Sequence, residues 1–368
     1  MRKHQSKRLT ALLLALVLCL GLAVPAGAAD NSTGVKIEKV DNSAVSVSLT
    51  DNSQQTTLTE EETPLYQDTD MVRVSIVLKG KSTLEKGFST QHIAANSQAM
   101  AYRSGLQAQQ ETLAKKISKD ALGGKTLDVV WNLTLAANII SANVAYGDID
   151  AIKAVSGVED VVLETRYEPQ VASVDALDPN MATSGSMIGS GVAYEAGYTG
   201  AGTRIAVIDT GTDTDHQSFN EDAFLHAIEE DGKTVSLMGK SDIEKVLSQL
   251  NIAGNEGVTA DSLYLNAKLP FAYNYVDGDF DVTHDKDSQG EHGSHVAGIA
   301  TANRYIQNSD GTYSKALEVA HTQGVAPDAQ LITMKVFGKG GGAYDADYMA
   351  AIEDAILLDC DSINLSLG

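Results

Sequence analysis

The sequence has 368 residues, of which 43% are hydrophobic, enough for two folded domains. Its 49 acidic residues against 27 Lys and Arg give a formal net charge of −22. A chain so poor in cations is not suited to contact phosphates, which argues against a nucleic-acid-binding protein and fits a soluble extracellular one.

The first 29 residues have the three parts of a secretory signal peptide. The basic segment MRKHQSKRLT precedes the apolar run ALLLALVLCLGLAV, and PAGAA then provides an Ala-x-Ala cleavage site at Ala26 and Ala28. The apolar run is shorter than the roughly 20 residues that a transmembrane helix needs. We therefore expect residues 1–29 to be removed and the protein to be secreted.

The cysteine content excludes an internal disulfide in the exported chain. Cys19 lies in the signal peptide, which leaves Cys360 alone. Its neighbours Asp359 and Asp361 give it none of the positive surroundings of a catalytic thiol, so we expect a small buried apolar residue.

Residues 30–70 are polar, and we expect a weakly ordered lead-in. Alternating and helical patterns then predict a strand at 71–80, a helix at 92–119 and two strands within 125–147. A short helix between Asp148 and Gly157 and a strand at 158–165 follow. This β-α-β-β-α-β order predicts a compact ferredoxin-like α+β unit over residues 71–167.

Residues 168–187 contain two prolines and no clear periodicity, which predicts a linker between domains. From residue 188 the apolar runs RIAVID, AQLITMKVF and SINLSL alternate with helical stretches. Such runs are typical of parallel strands that are buried on both faces. The sequence therefore predicts an α/β domain over residues 188–368.

Two residues of this domain are candidates for acid–base chemistry. Asp209 ends the run RIAVID, and the carboxyl ends of parallel strands are where α/β proteins usually place ligands and catalysts. His292 follows 83 positions later, at a predicted loop-to-helix junction. A carboxylate beside an imidazole prepares it to take a proton from a hydroxyl nucleophile. The separation in sequence does not establish that the two side chains meet, and Asp-Thr-Gly at 209–211 is also good turn chemistry.

Four segments in order resemble the subtilisin family of serine peptidases: AVIDTGTDTDH, GEHGSHVAGIA, GVAPDAQLITMKVF and DSINLSLG. The resemblance covers residues 188–368 and implies a subtilisin-like parallel-sheet fold and endopeptidase activity on protein or peptide substrates. It makes Asp209 the orienting acid, His292 the general base and His295 a packing residue. Ser294 departs from the family, in which threonine is commoner there.

The same resemblance implies a peptide groove between two walls. One wall is the glycine segment, defined as Gly340, Gly341 and Gly342, and the other is Ser366, Leu367 and Gly368. Glycines leave the backbone accessible, so that an extended peptide can add as a strand. A flexible turn before the next helix is the alternative for the glycine segment.

Residues 71–167 resemble the subtilisin-type inhibitory propeptide, most clearly over ANVAYGDIDAIKAVSGVEDVVLETRYEP. This implies an autoinhibited precursor that is cut within residues 168–187. The segment KLPFAYNYVDGDFDVTHDKDSQGEHG and the insert before it are more similar to lactocepin-type cell-envelope proteinases than to small secreted subtilisins. Association with the cell envelope is therefore a further expectation.

The serine motif of the family, close to Gly-Thr-Ser-Met-Ala, does not occur in the sequence, and TSGSM at 183–187 precedes the domain. We therefore expect a truncated peptidase domain that is inactive alone, with an unfinished sheet edge. One alternative is a non-catalytic secreted protein that kept the peptide groove. Another is that the unit at 71–170 inhibits a different protease.

No metal-ligating residue is assigned. His292 and His295 are three apart, whereas the helical zinc signature needs a spacing of four. Asp277, Asp279 and Asp281 imitate the start of a calcium loop, but Val282 and Ser288 replace its glycine and its glutamate. Calcium is implied by the family resemblance alone, and no other cofactor is expected.

Overall fold

The computed structural model describes residues 66–168, 181–232 and 234–366, without the side chains of 181–183. The chain divides into two units, Met1–Glu62 and Thr63–Gly368, and every described residue belongs to the second. The predicted signal peptide, residues 30–65 of the polar lead-in and residues 169–180 of the linker lie outside the described residues.

The strands are β1 Met71–Leu78, β2 Asp128–Leu133, β3 Ile139–Ala145, β4 Val158–Leu163, β5 Arg166–Tyr167, β6 Arg204–Asp209, β7 Phe271–Asn274, β8 Tyr305–Gln307, β9 Tyr313–Lys315, β10 Gln330–Lys335, β11 Ala343–Tyr344 and β12 Ser362–Leu365. The α-helices are α1 Ser97–Asp120, α2 Ile149–Lys153, α3 Met181–Ile188, α4 Ser190–Glu195, α5 Glu221–Glu230, α6 Lys240–Val246, α7 Ala260–Leu263, α8 His292–Thr301, α9 Ala316–Val319 and α10 Asp345–Leu357. Single 3₁₀ turns are formed by Ile93–Ala95, Tyr146–Asp148, Gln217–Phe219 and Leu247–Gln249.

The N-terminal sheet has the strand order β2-β3-β1-β4, and all its pairs are antiparallel. Every second residue of β1, including Val74 and Ile76, is buried in one apolar core with Ile140 of β3 and Ile117 of α1. This period of two is what a half-buried strand requires. The element order β-α-β-β-α-β is the one that the sequence predicts.

Local capping moves two predicted helix boundaries. The helix expected from residue 92 begins at Ser97, because Asn96 Oδ1 accepts hydrogen bonds from the backbone N–H groups of Gln98 and Ala99. Asp148 makes no side-chain cap for α2, and Gly157, at φ +114°, lies in the turn before β4 rather than at the end of the helix. Part of the predicted linker is also helical, since α3 covers Met181–Ile188.

The second sheet has the order β12-β6-β10-β7, and all its pairs are parallel. All six residues of β10 are buried, which is why ITMKVF has no alternation. Lys335 at the end of β10 is in register with Asp209 on one side and Asn274 on the other. Three polar side chains therefore lie in one row at the carboxyl edge. Among the described residues β12 is an edge strand, with Leu365 43% exposed.

Helix α10 lies between the two sheets and carries buried carboxylates. Asp347, Glu353 and Asp354 are each at most 3% exposed. Asp354 accepts hydrogen bonds from the Asn251 N–H at 2.7 Å and from the Tyr275 hydroxyl at 3.0 Å. Burial raises the pKa of Asp354 to about 7, although these hydrogen bonds oppose the shift.

Replacing Asp354 with asparagine should change how stability depends on pH. The folded pKa of about 7 lies above the ordinary value of 3.8, so the contribution of Asp354 to stability is fully present below about pH 4 and is lost progressively as the pH rises to 7. Relative to the wild type, Asp354→Asn should therefore gain about 3 kcal/mol in the free energy of unfolding between pH 5 and pH 8. Urea unfolding at the two pH values measures this difference. The exposed Asp285→Asn is the control, and a difference that is independent of pH would contradict the assignment.

Candidate active site

Asp209 lies at the carboxyl end of β6 and is 1% exposed. Its Oδ1 accepts a hydrogen bond from the Thr210 N–H at 2.7 Å, and its carbonyl accepts one from Val336 N–H at 2.9 Å. Its other carboxylate oxygen is buried and has no hydrogen-bond partner among the described residues. A buried carboxylate with an unpaired oxygen strongly favours a nearby cation or N–H donor.

His292 is the first residue of α8, and its Nδ1 lies 2.7 Å from Asp209 Oδ1. The sequence left this contact open, and the structure establishes it. The His292 side chain is 19% exposed, against 2% for Asp209. No described residue hydrogen-bonds to its Nε2, so the far edge of the ring is free to receive a substrate or a nucleophile.

Two glycines make this contact sterically feasible. A Cβ on Gly293 would lie 2.1 Å from the Gly211 carbonyl oxygen, and one on Gly211 would lie 2.3 Å from the Val282 carbonyl oxygen. Gly211 also has φ +118°, a conformation that favours glycine. The Gly293 N–H donates to Thr210 Oγ1 at 2.9 Å. The start of α8 therefore packs directly on the turn that follows β6.

The other residues of the histidine motif have separate roles. Ser294 Oγ accepts a hydrogen bond from the Asp213 N–H at 2.8 Å, which ties α8 to the turn after Asp209. The prediction that His295 is a packing residue is wrong, because His295 is exposed. It lies three residues beyond His292, and the inward-facing residues of this helix are Gly293, Ala297 and Thr301.

A buried ion pair beside the site was not found from the sequence. Lys335 Nζ lies 2.9 Å from Asp287 Oδ2, with the two side chains 1% and 4% exposed. Lys335 also donates to the Thr210 carbonyl oxygen. The only sequence signal for this ion pair is a lysine within the otherwise apolar run AQLITMKVF, on the strand next to the one that carries Asp209.

The glycine segment contacts the end of the segment 71–167, at β5. β11 pairs antiparallel with β5, Ala343 opposite Tyr167. The Gly340 carbonyl accepts a hydrogen bond from Arg166 Nη2 at 2.8 Å, and a Cβ on Gly342 would lie 2.1 Å from the Tyr167 carbonyl oxygen. The absence of side chains thus allows close approach of a strand.

The second predicted wall is described only in part. Ser366 Oγ donates to Asn364 Oδ1 at 2.9 Å, and Leu367 and Gly368 lie outside the described residues. Substrate binding by Ser366, Leu367 and Gly368 stays a prediction.

The aspartates that imitate a calcium loop have protein partners. Asp277 Oδ2 accepts from Asn274 Nδ2 at 2.9 Å, while Asp279 and Asp281 each pair with a lysine at 3.0 Å, Lys339 and Lys286 respectively. In the described part of the chain no group of three or more His, Cys, Asp or Glu side chains is arranged to hold a metal ion. Calcium binding stays a prediction without assigned ligands.

Cys360 is half-buried, and burial raises the pKa of its thiol to about 12. The thiol is therefore protonated at neutral pH and is not a nucleophile.

No helix within the described ranges is both long enough and apolar enough to span a membrane.

Comparison with known proteins gives a family match and several relatives. Residues 200–368 match the model of the subtilase family, Peptidase S8. The PII-type proteinase of Lactococcus lactis subsp. cremoris is 32% identical over 276 residues, 73% of this chain but 12% of that protein. The minor extracellular protease Vpr of Bacillus subtilis is 26% identical over 330 residues, 86% of this chain and 32% of that protein.

The chain thus spans about one eighth of the length of the lactococcal proteinase it matches. Among solved structures, the epidermin leader peptide processing serine protease of Staphylococcus aureus aligns with a TM-score of 0.43 at 17% identity, over 81% of this chain and 50% of that one. The family match spans both Asp209 and His292, and the parallel sheet that carries Asp209 lies within it. Residues 200–368 are therefore a subtilase domain of the Peptidase S8 family.

Proposed function

We propose that this chain is part of a secreted serine endopeptidase of the subtilisin type, made as an autoinhibited precursor. The observation that carries the proposal is the 2.7 Å contact between His292 Nδ1 and Asp209 Oδ1. Family membership supports peptidase chemistry, and the signal-peptide pattern of residues 1–29 supports export.

The two residues have distinct roles in the proposed reaction. Asp209, buried at the end of β6, accepts a hydrogen bond from the Nδ1 proton of His292 and so leaves Nε2 as the proton acceptor. Nε2 takes the proton of a serine hydroxyl as the oxygen attacks the peptide carbonyl, and returns it to the leaving amine. The serine motif of the family does not occur in residues 1–368, and within them the proposed site consists of the acid and the base.

The pairing of β5 with β11 supports a strand-addition mode of substrate binding. An extended peptide that lies beside the glycine segment exchanges backbone hydrogen bonds with it, as Arg166–Tyr167 does with Ala343–Tyr344. The same pairing supports the inhibitory role of residues 71–167, because β5 occupies the edge that a substrate strand needs.

Contacts between the N-terminal sheet and α10 support a docked inhibitor. Glu353 Oε1 accepts from the N–H groups of Leu135 and Ala136 at 2.8 and 2.7 Å. The Trp131 indole N–H donates to Asp347 Oδ1 at 2.8 Å. These two carboxylates of α10 are buried and take donors from residues 131–136. These contacts make a specific interface, because moving residues 71–167 away from α10 would leave the carboxylates without those donors.

A non-catalytic peptide-binding protein would use the same groove. It has no physical need for an aspartate aligned on the imidazole of His292, so the geometry favours the peptidase.

Cell-envelope association is proposed only from the resemblance to lactocepin-type proteinases.

Removing the charge of Asp209 should abolish most of the activity of the full-length protein. Asp209→Asn should lower kcat by about 10⁴-fold, the magnitude known for the equivalent Asp→Asn change in a chymotrypsin-type peptidase, because the imidazole loses its tautomer and its charge partner. Steady-state cleavage of a casein or peptide substrate measures this. The matched control is Asp215→Asn, six residues later in the same turn region. Activity that survives in Asp209→Asn would contradict the assignment.

Truncating Glu353 should loosen the contact of the N-terminal sheet with α10. Glu353→Ala leaves the N–H groups of Leu135 and Ala136 without their acceptor, so their hydrogen exchange should accelerate by about tenfold or more. Exchange measured by mass spectrometry on the 368-residue chain tests this, with the exposed Glu256→Ala as control. Equal acceleration at Ile76, in the middle of β1, would instead indicate general destabilisation.

A further inference from the structure

The Lys335 side chain contacts both of the segments that carry the acid–base pair. It leaves β10 in register with Asp209 and is 1% exposed. Its Nζ donates to the carbonyl of Thr210, the residue after Asp209. The same Nζ lies 2.9 Å from Oδ2 of Asp287, five residues before His292.

The loop that precedes His292 is fixed at two further points. Asp287 Oδ1 accepts from the Gln289 N–H at 2.9 Å, so both oxygens of this carboxylate are engaged. Gln289 is 4% exposed, and its Nε2 donates to the Gly338 carbonyl at 2.9 Å. The loop is thereby anchored to β10 and to the residue that leads into the glycine segment.

Stability does not explain a buried ion pair at this place. Two charges lose their hydration on burial, and an apolar pair of similar volume is often at least as stable. What the ion pair provides is one defined arrangement of the loop, because any displacement of Asp287 leaves the Lys335 ammonium uncompensated in the protein interior.

We propose that Lys335 and Asp287 are positioning residues of the Asp209–His292 pair. Their ion pair holds the loop that leads into α8 against the end of β6, and so keeps His292 Nδ1 within hydrogen-bond distance of Asp209. Neither residue touches the reacting atoms. The inference rests on the proposed function for its purpose, but its structural content can be tested without activity.

The test variant is Lys335→Met combined with Asp287→Asn, which removes both charges and leaves no unpaired buried ion. The readout is the low-field proton NMR resonance of His292 Nδ1–H in the 368-residue chain, assigned by its absence in His292→Gln. We expect this resonance to lose most of its intensity in the double variant, while circular dichroism and cooperative unfolding are retained.

The matched control is Arg304→Met combined with Asp328→Asn. This second pair has its atoms 3.0 Å apart, with the Asp328 side chain 0% and the Arg304 side chain 18% exposed, and belongs to the same domain. The control should retain the His292 resonance. An unchanged resonance in the folded Lys335→Met/Asp287→Asn variant, or equal loss in both double variants, would overturn the proposal.

A second double variant covers the case in which Lys335→Met/Asp287→Asn does not fold. Lys335→Gln combined with Asp287→Asn also removes both charges, but it keeps a side-chain donor at 335 and an oxygen for the Gln289 N–H, so the resonance should weaken. An unchanged resonance in this folded variant would also overturn the proposal.

Kinetics separate this proposal from the proposed function. In the full-length protein either variant should lower kcat by about 10–100-fold with little change in KM, as expected when a catalytic group is displaced. A wild-type protein without peptidase activity would refute the proposed function, while the NMR comparison would still decide the role of Lys335 and Asp287.

Discussion

The close approach of the α8 start to the end of β6 is the constraint on which the site depends. The backbone atoms of Gly211 and Gly293 lie where a side chain on either residue would collide with a carbonyl oxygen. Only at this separation does the His292 ring reach Asp209 at 2.7 Å. The hydrogen bond from the Gly293 N–H to Thr210 Oγ1 then fixes the helix in place. Motif residues next to Asp209 and His292 are therefore explained by backbone geometry.

Helix α10 connects this site to the N-terminal sheet. It follows the glycine segment and β11. Its buried carboxylates accept hydrogen bonds from the N-terminal sheet region on one side and from the subtilase domain on the other. Glu353 accepts hydrogen bonds from Leu135 and Ala136 in the turn between β2 and β3. Asp354 accepts them from Asn251 and Tyr275 of the subtilase domain. A strongly acidic chain can bury these groups because each one has donors to replace its lost water.

Elements whose pattern reflects burial were predictable from the sequence. The alternation in β1 and the continuous apolar runs of β6 and β10 gave the correct strands, because period and burial are directly linked. The placement of Asp209 at a strand end was predictable for the same reason. Its contact with His292 was not, since 83 residues separate them.

Features that depend on individual partners were missed or misplaced. The start of α1 depends on the cap that the Asn96 side chain makes. The exposure of His295 depends on which face of α8 packs against the domain. The Lys335–Asp287 ion pair joins residues 48 positions apart, and no local pattern specifies such a contact. Part of the predicted linker is helical, although its Ser and Gly content favours loops.

The most direct test of the central claim is covalent labelling of the full-length protein with a fluorophosphonate, which reacts with a serine only where a base activates it. The account predicts that mass spectrometry finds one modified serine and that His292→Ala abolishes the modification. Absence of labelling in the wild-type protein, or labelling that persists in His292→Ala, would contradict a role for His292 as the general base.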